Sequence, residues 1–264
     1  PIFIFGWGFI PKMGVVGAAW ATNIARLIIF LILYINTKEQ FNESLKMKIN
    51  KSQIVEVVHM GMPVTLQRFI FNFISMFMAR IVVSYGTDVM AAQRIGIQIE
   101  SITYVTIGGL QGAISAFVGQ NYGNDNIDRV GASYRTAISL VTVFGIIVTG
   151  IFLLFSETFF SIFINEIAVI EQGVIYMQAI AFSQVFMSLE LLTVGAFHGI
   201  GQTTVPSVVS TVFTVLRIPM ALVLSKFMGI SGVWWSISLS SVLKGLILTA
   251  WFFIILKKKE ASLT

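Results

Sequence analysis

Residues 89–119 form an apolar run, VMAAQRIGIQIESITYVTIGGLQGAISAFVG, in which Arg94 and Glu100 are the only charged side chains. It is longer than the roughly 20 residues that a helix needs to cross a hydrocarbon layer, so a long or tilted transmembrane helix is expected. An ionised carboxylate at such depth is costly and normally faces a cavity or a partner. The rest of the chain carries the same message: it is 56% hydrophobic and only 11% charged, against roughly 25% charged residues in soluble domains. The formal charge of +5 sits in loops and at helix ends, as in bilayer proteins, and no nucleic-acid partner is expected.

Further apolar stretches at about 14–34, 60–85, 132–155, 173–197, 205–225 and 231–256 bring the expected total to seven transmembrane helices. Residues 1–10 read as the tail of a preceding span, with Pro11 and Gly14 in the turn after it. Between the first two full spans, Lys38, Lys46, Lys48 and Lys51 alternate with Phe41, Leu45, Met47 and Ile49. That amphipathic pattern is expected to lie along a membrane surface and to link two halves. One set of alternate loops holds these lysines together with Arg129, Arg135 and Lys257 to Lys259; the other holds only Lys12 and Lys226, beside several acids. An excess of basic residues marks the cytoplasmic side, so the linker and the C-terminus are expected there.

An internal repeat extends the reading. Met13-Gly14-Val15-Val16-Gly17 aligns without a gap on Met228-Gly229-Ile230-Ser231-Gly232, and each copy follows a proline-led apolar run. The copies stand an even number of spans apart and therefore run the same way across the membrane. With that offset as the repeat length, the intact protein would hold two six-helix lobes in about 430 residues. The expected fold is all-α and integral to the membrane. Residues 1–36 would end the first lobe, 37–58 would link, and 59–264 would form a complete second lobe of a 6+6 arrangement.

Glu100 and Glu190 are the candidates for binding and releasing an ion. Burial raises a carboxyl's proton affinity, which suits such exchange, but either acid could equally serve as a structural partner of Arg94 or Arg217. Gln67 and Asn72 are candidate polar cavity residues. Phe71, Met76, Tyr104 and Phe182 could line a pocket through aromatic and soft contacts. Pro219 follows Arg217 within a span and is a candidate hinge, because proline frees a carbonyl and bends a helix. No triad, phosphate loop or metal-ligand cluster appears, so no catalytic residue, metal or enzymatic activity is expected. The absence of cysteine leaves no disulfide framework.

Gly86-Thr87-Asp88 with Ala91-Ala92-Gln93, and Val118-Gly119-Gln120-Asn121-Tyr122-Gly123, resemble hallmark motifs of the multidrug and toxic compound extrusion (MATE) transporters. Gly195-Ala196-Phe197-His198-Gly199-Ile200-Gly201-Gln202-Thr203 is similar to another motif of that family, although His198 and Gln202 replace its Arg and Asp. The resemblance covers essentially the whole chain and implies the C-terminal portion of a two-lobed antiporter with a central cavity. It implies export of drugs or amphipathic organic cations across a cell membrane in exchange for H+ or Na+, with no other cofactor. Some members place a coupling acid in the helix matching residues 60–85, where this sequence offers Gln67. Coupling in this lobe then falls to Glu190 and Glu100, or else belongs to the other lobe. The other readings are a lipid-linked oligosaccharide flippase and a non-transporting membrane scaffold.

Overall fold

The computed structural model describes residues 2–6, 11–46 and 50–261 and contains helices but no strand among them. The chain divides into two compact units, Pro1–Val55 and Glu56–Thr264. The first contains α1 (Ile2–Phe5) and α2 (Gly14–Lys46). Residues 7–10 of the expected leading span, and 47–49 of the expected surface linker, lie outside the described residues. The described part of that linker is helical, shared between the end of α2 and the start of α3 (Lys51–Val83).

The second unit continues with α4 (Thr87–Gly123), α5 (Ile127–Phe163), α6 (Ile167–Ala181), α7 (Gln184–Gly199), α8 (Thr204–Val215), α9 (Arg217–Met228) and α10 (Ile230–Ala261). Among the described residues, α2, α3, α4, α5, the α8–α9 run and α10 are each long and apolar enough to span a membrane; α6 and α7 reach that length and apolarity only together, as a bent pair. Helix is the form in which a segment satisfies its backbone hydrogen bonds internally, without water.

The span expected at 173–197 differs from the expectation. It begins at Ile167 and is broken after Ala181, with α6 and α7 inclined by 54°. No proline or glycine causes the break. Side chains instead take up carbonyls freed from the helical ladder: Ser183 Oγ donates to the Ile180 carbonyl at 2.8 Å, and Thr149 Oγ1 of α5 donates to that of Ala181 at 2.9 Å. At Pro219 the effect is smaller. Its missing N–H leaves the Val215 carbonyl without its usual donor, while Met220 N–H still donates to the Leu216 carbonyl at 3.1 Å, and α8 and α9 continue as one 25-residue run, Thr204–Met228.

Glycines set the closest helix contacts. A methyl group at Gly145 of α5 would lie 2.7 Å from the Val185 Cα, and one at Gly245 of α10 would lie 2.3 Å from the Phe186 carbonyl oxygen. The first turn of α7 is thus held between α5 and α10. Gly195 and Gly199 seat α7 against Gln111 and Ser115 of α4 by the small-residue spacing common between membrane helices. Gly108, Gly109 and Gly112 of α4, by contrast, face open space.

The repeat also has a backbone counterpart. Gly14 (φ 54°) and Gly229 (φ 57°) both adopt the left-handed conformation that glycine tolerates, just where α2 and α10 begin. One turn on, Gly17 lies against the Phe3 carbonyl and Gly232 against that of Leu224. At both aligned positions a glycine thus lets the start of a helix lie against the backbone of the preceding helix.

Candidate functional site

Among the described residues of the second unit, α3 makes no extended close backbone contact with another helix. It touches its neighbours through Ile74, Met78 and Val82, in an apolar cluster with Tyr176, Ile180 and Trp234. Near its other end the Met60 carbonyl accepts a hydrogen bond from Thr203 Oγ1 at 2.8 Å, and between these two contacts α3 stands off from the face built by α4, α7, α9 and α10. Two adjoining cavities of about 490 and 540 Å3 fill that gap. They share Phe71 and Asn72 of α3, Tyr104 of α4, Arg217 of α9 and Ile237 of α10.

Glu190 lies on the wall of the first cavity. Its carboxylate is paired with Lys244 of α10 at 2.9 Å, both side chains being less than one-tenth exposed, and accepts a hydrogen bond from Ser210 Oγ of α8 at 3.2 Å. The pairing follows from packing: Gly245 lets α10 reach the α7 backbone at Phe186, one turn before Glu190, so the neighbouring Lys244 arrives opposite the acid. The arginine partners considered from sequence are not used; no carboxylate of the described residues lies within ion-pair distance of Arg94 or Arg217.

Glu100 lies on the wall of the second cavity and is buried. Tyr176 of α6 donates its hydroxyl proton to the Glu100 carboxylate at 2.5 Å. Gly96, one turn earlier on α4, lets the Tyr176 ring lie directly against the helix, and Trp234 closes the other side edge-on at 4.9 Å. A charge-assisted hydrogen bond of this kind is stronger than a neutral one and fixes the carboxylate's orientation.

Arg217 stands where the two cavities meet. Its Nε donates to Ser240 Oγ at 2.6 Å and its Nη2 to Ser241 Oγ at 3.3 Å, while the Ser240 hydroxyl proton goes to the Ile237 carbonyl. The position is a helix start, where the break before Pro219 turns α8 into α9.

The structure thus places Glu190, Gln67 and Asn72 at the first cavity, Glu100 and Met76 at the second, and Phe71, Asn72 and Tyr104 at both. Phe182 is apart from them. It lies at the α6–α7 break, half-exposed, stacked on Trp235 at 5.6 Å, and lines neither cavity. Lys244, Arg68 and Tyr176 were not singled out by sequence reasoning. Lys244 had a signal of its own, as the only charged residue in the apolar run at 231–256. Arg68 shared that signal, standing with Arg80 as a charged residue in the apolar run at 60–85. Tyr176 had none, because nothing in its local pattern separates a cavity residue from any other helix residue. Among the described residues no three of His, Cys, Asp or Glu gather to hold a metal ion.

Residues 63–223 match the MatE family. Among curated proteins, the chain is 29% identical over 238 residues to a probable multidrug resistance protein NorM of Thermotoga maritima, covering 88% of this chain and 51% of that protein. It is 24% identical to the probable multidrug resistance protein YoeA of Bacillus subtilis, over 99% of this chain and 59% of that one. The chain therefore spans between about half and three-fifths of the length of these relatives. Among solved structures, it superposes on the outward-facing conformation of a multidrug resistance MATE family transporter of the MOP superfamily with a TM-score of 0.83 at 20% identity, covering 99% of this chain and 59% of that one. A MOP superfamily transporter from Pyrococcus furiosus Vc1, whose binding pocket is described as of reverse polarity and suggestive of a different function, gives a TM-score of 0.84 at 20% identity, over 98% of this chain and 59% of that one.

Proposed function

From the premise that the chain belongs to the MatE family, we propose that it is part of a secondary active antiporter that exports amphipathic drugs, organic cations among them. H+ or Na+ entry drives the exchange, and the cavities between α3 and the rest of its unit form part of the substrate route. The observation that carries this reading is the pair of buried carboxylates, Glu100 and Glu190, each on the wall of a polar cavity inside a membrane-spanning helix set. Acids at such depth are expensive and mark ion pathways by default. Gln67 and Asn72 supply polar contacts on the opposite wall, and Phe71, Met76 and Tyr104 supply apolar and aromatic area.

In this mechanism an ion neutralises one of the carboxylates and the substrate leaves the cavity. The equilibrium between inward- and outward-facing states shifts because each ligand favours a different state. The break between α6 and α7, beside Phe182, and the interrupted ladder at Pro219 are places where the unit can bend at little cost. The protein resides in the cell membrane, with residues 37–58 and the C-terminus on the cytoplasmic side. Arg68, Arg94, Arg217 and Lys244 around the cavities favour a flippase of lipid-linked anions as the second reading.

The test is efflux of a fluorescent organic cation from proteoliposomes containing the full-length protein, under an imposed pH gradient or an imposed sodium gradient. One gradient should drive efflux, and Glu190→Gln or Glu100→Gln should abolish the gradient's effect at normal protein levels. If wild type responds to neither gradient, the antiport reading fails. If wild type responds and both substitutions transport normally, coupling does not reside in these acids.

A further inference from the structure

We propose that Arg217, supported by Arg68, forms an oxyanion subsite in the first cavity, which takes the carboxylate or phosphate of an amphipathic substrate. The inference rests on reading the cavities as a substrate route and narrows the substrate class: molecules bearing an oxyanion, zwitterions included, in preference to bare cations.

Arg217 is held by two serine hydroxyls of α10. A guanidinium has five N–H donors, and hydrogen bonds to Ser240 and Ser241 use two of them. Both acceptors are neutral hydroxyls, which orient the group without compensating its charge. Among the described residues no carboxylate lies within ion-pair distance of Arg217. An arginine needed only for packing at this depth would be expected to carry a counter-charge, since an unpaired cation in a low-dielectric interior is costly. The fork instead opens to both cavities, with donors left over. A planar guanidinium with two free N–H groups matches a carboxylate or phosphate in bidentate fashion.

The surrounding charge points the same way. Arg68, Arg94, Arg217 and Lys244 line the two cavities against only Glu100 and Glu190. Glu190 is already engaged by Lys244 and Glu100 by Tyr176, so neither is free to close on Arg217. A cleft with an excess of one sign of charge and low-dielectric walls concentrates ligands of the opposite sign. Arg68, exposed on α3, faces the first cavity from the opposite wall and completes a positive rim. The apolar body of the ligand would lie along Phe71 and Met76 in the second cavity.

Binding to the purified full-length protein in neutral detergent tests this, with three dyes of one ring system: a carboxylate, its uncharged ester, and a cationic derivative. Short-chain phosphatidic acid serves as competitor. The carboxylate dye should bind most tightly, and Arg217→Gln should weaken it roughly tenfold or more, the loss of one charged hydrogen-bond pair. Arg217→Lys should be intermediate, and the ester should be unaffected by either change. Arg68→Gln lies on an exposed helix face and should weaken the same dye without disturbing the fold, which keeps the test informative if Arg217→Gln does not fold. Displacement of the dye by phosphatidic acid would identify a lipid headgroup as the source of the oxyanion; no displacement would identify a soluble carboxylate. Preferential binding of the cationic dye, or carboxylate binding indifferent to both arginine substitutions, would overturn the subsite. Arginine-dependent carboxylate binding without gradient-driven efflux of any dye would leave the subsite standing and remove the antiport reading.

Discussion

Replacement of Glu190 by leucine should destabilise the protein by about 3–5 kcal/mol, the cost of leaving a buried charge without its partner. The charge left behind is Lys244, 2.9 Å from the Glu190 carboxylate and itself buried. Lys244→Met should cost a similar amount, because it strands the acid instead. The double variant Glu190→Leu with Lys244→Met removes both charges and should recover most of the loss, since apolar residues of similar volume often replace a buried ion pair at no net cost. Thermal unfolding of the four proteins in one detergent gives the coupling directly. Additive losses would show that the two side chains do not interact, contrary to the geometry. Transport should separate from stability: the double variant should fold but lose its response to the driving gradient, because the acid is gone.

The second large effect is expected at Gly245. A side chain there would collide with the Phe186 backbone, with the first added carbon already 2.3 Å from a carbonyl oxygen. Backbone cannot step aside as a flexible side chain can, so Gly245→Leu must push α10 away from α7. Overpacking of this kind costs about 1–3 kcal/mol and sometimes more. It would also draw Lys244 off Glu190, adding the penalty of a broken pair. The folded yield of Gly245→Leu should therefore fall far below wild type on size-exclusion chromatography. Gly108→Ala, at a helical position with open space around it, should be neutral or slightly stabilising. Equal yields for Gly245→Leu and Gly108→Ala would contradict the packing described.

The contrast between these glycines shows where sequence reasoning succeeds and where it stops. The spans were legible because hydrophobic length is a property of consecutive residues, and six runs in the structure are long and apolar enough to cross a membrane, although α5 is kinked at Phe155 and α8 meets α9 at Leu216. The repeat was legible for the same reason, and its glycines at 14 and 229 both have a positive φ. Which glycine lies at a helix contact depends on how each helix is rotated about its axis, and sequence carries that only weakly. Gly195 and Gly199 bear the α4 contact, while Gly108, Gly109 and Gly112 do not. The α6–α7 break was hidden because one of the side chains that take up its freed carbonyls, Thr149, sits on a different helix from the carbonyl it binds.

The site was legible by type and not by partner. Acids within apolar runs announce themselves, so Glu100 and Glu190 were found from the chain alone. Their partners, Tyr176 and Lys244, lie 76 residues and one helix face away in the first case and on the last helix in the second. Local periodicity does not carry such pairings. Phe182 was chosen as an aromatic near polar residues, and it stacks on Trp235 at the break instead, away from both cavities.

The central claim is that the space between α3 and the rest of its unit is a substrate-accessible cavity, and cysteine accessibility tests it most directly. This chain has no cysteine of its own, so single thiols can be placed by Asn72→Cys and Thr211→Cys on opposite walls of the first cavity, and by Leu154→Cys on an exposed apolar position of α5 as control. Membrane-impermeant thiol reagent should modify the two cavity positions far faster than the control in the full-length protein in proteoliposomes, and a transported compound should slow the first two alone. Labelling of Asn72→Cys and Thr211→Cys no faster than that of Leu154→Cys, and unaffected by any transported compound, would contradict the account.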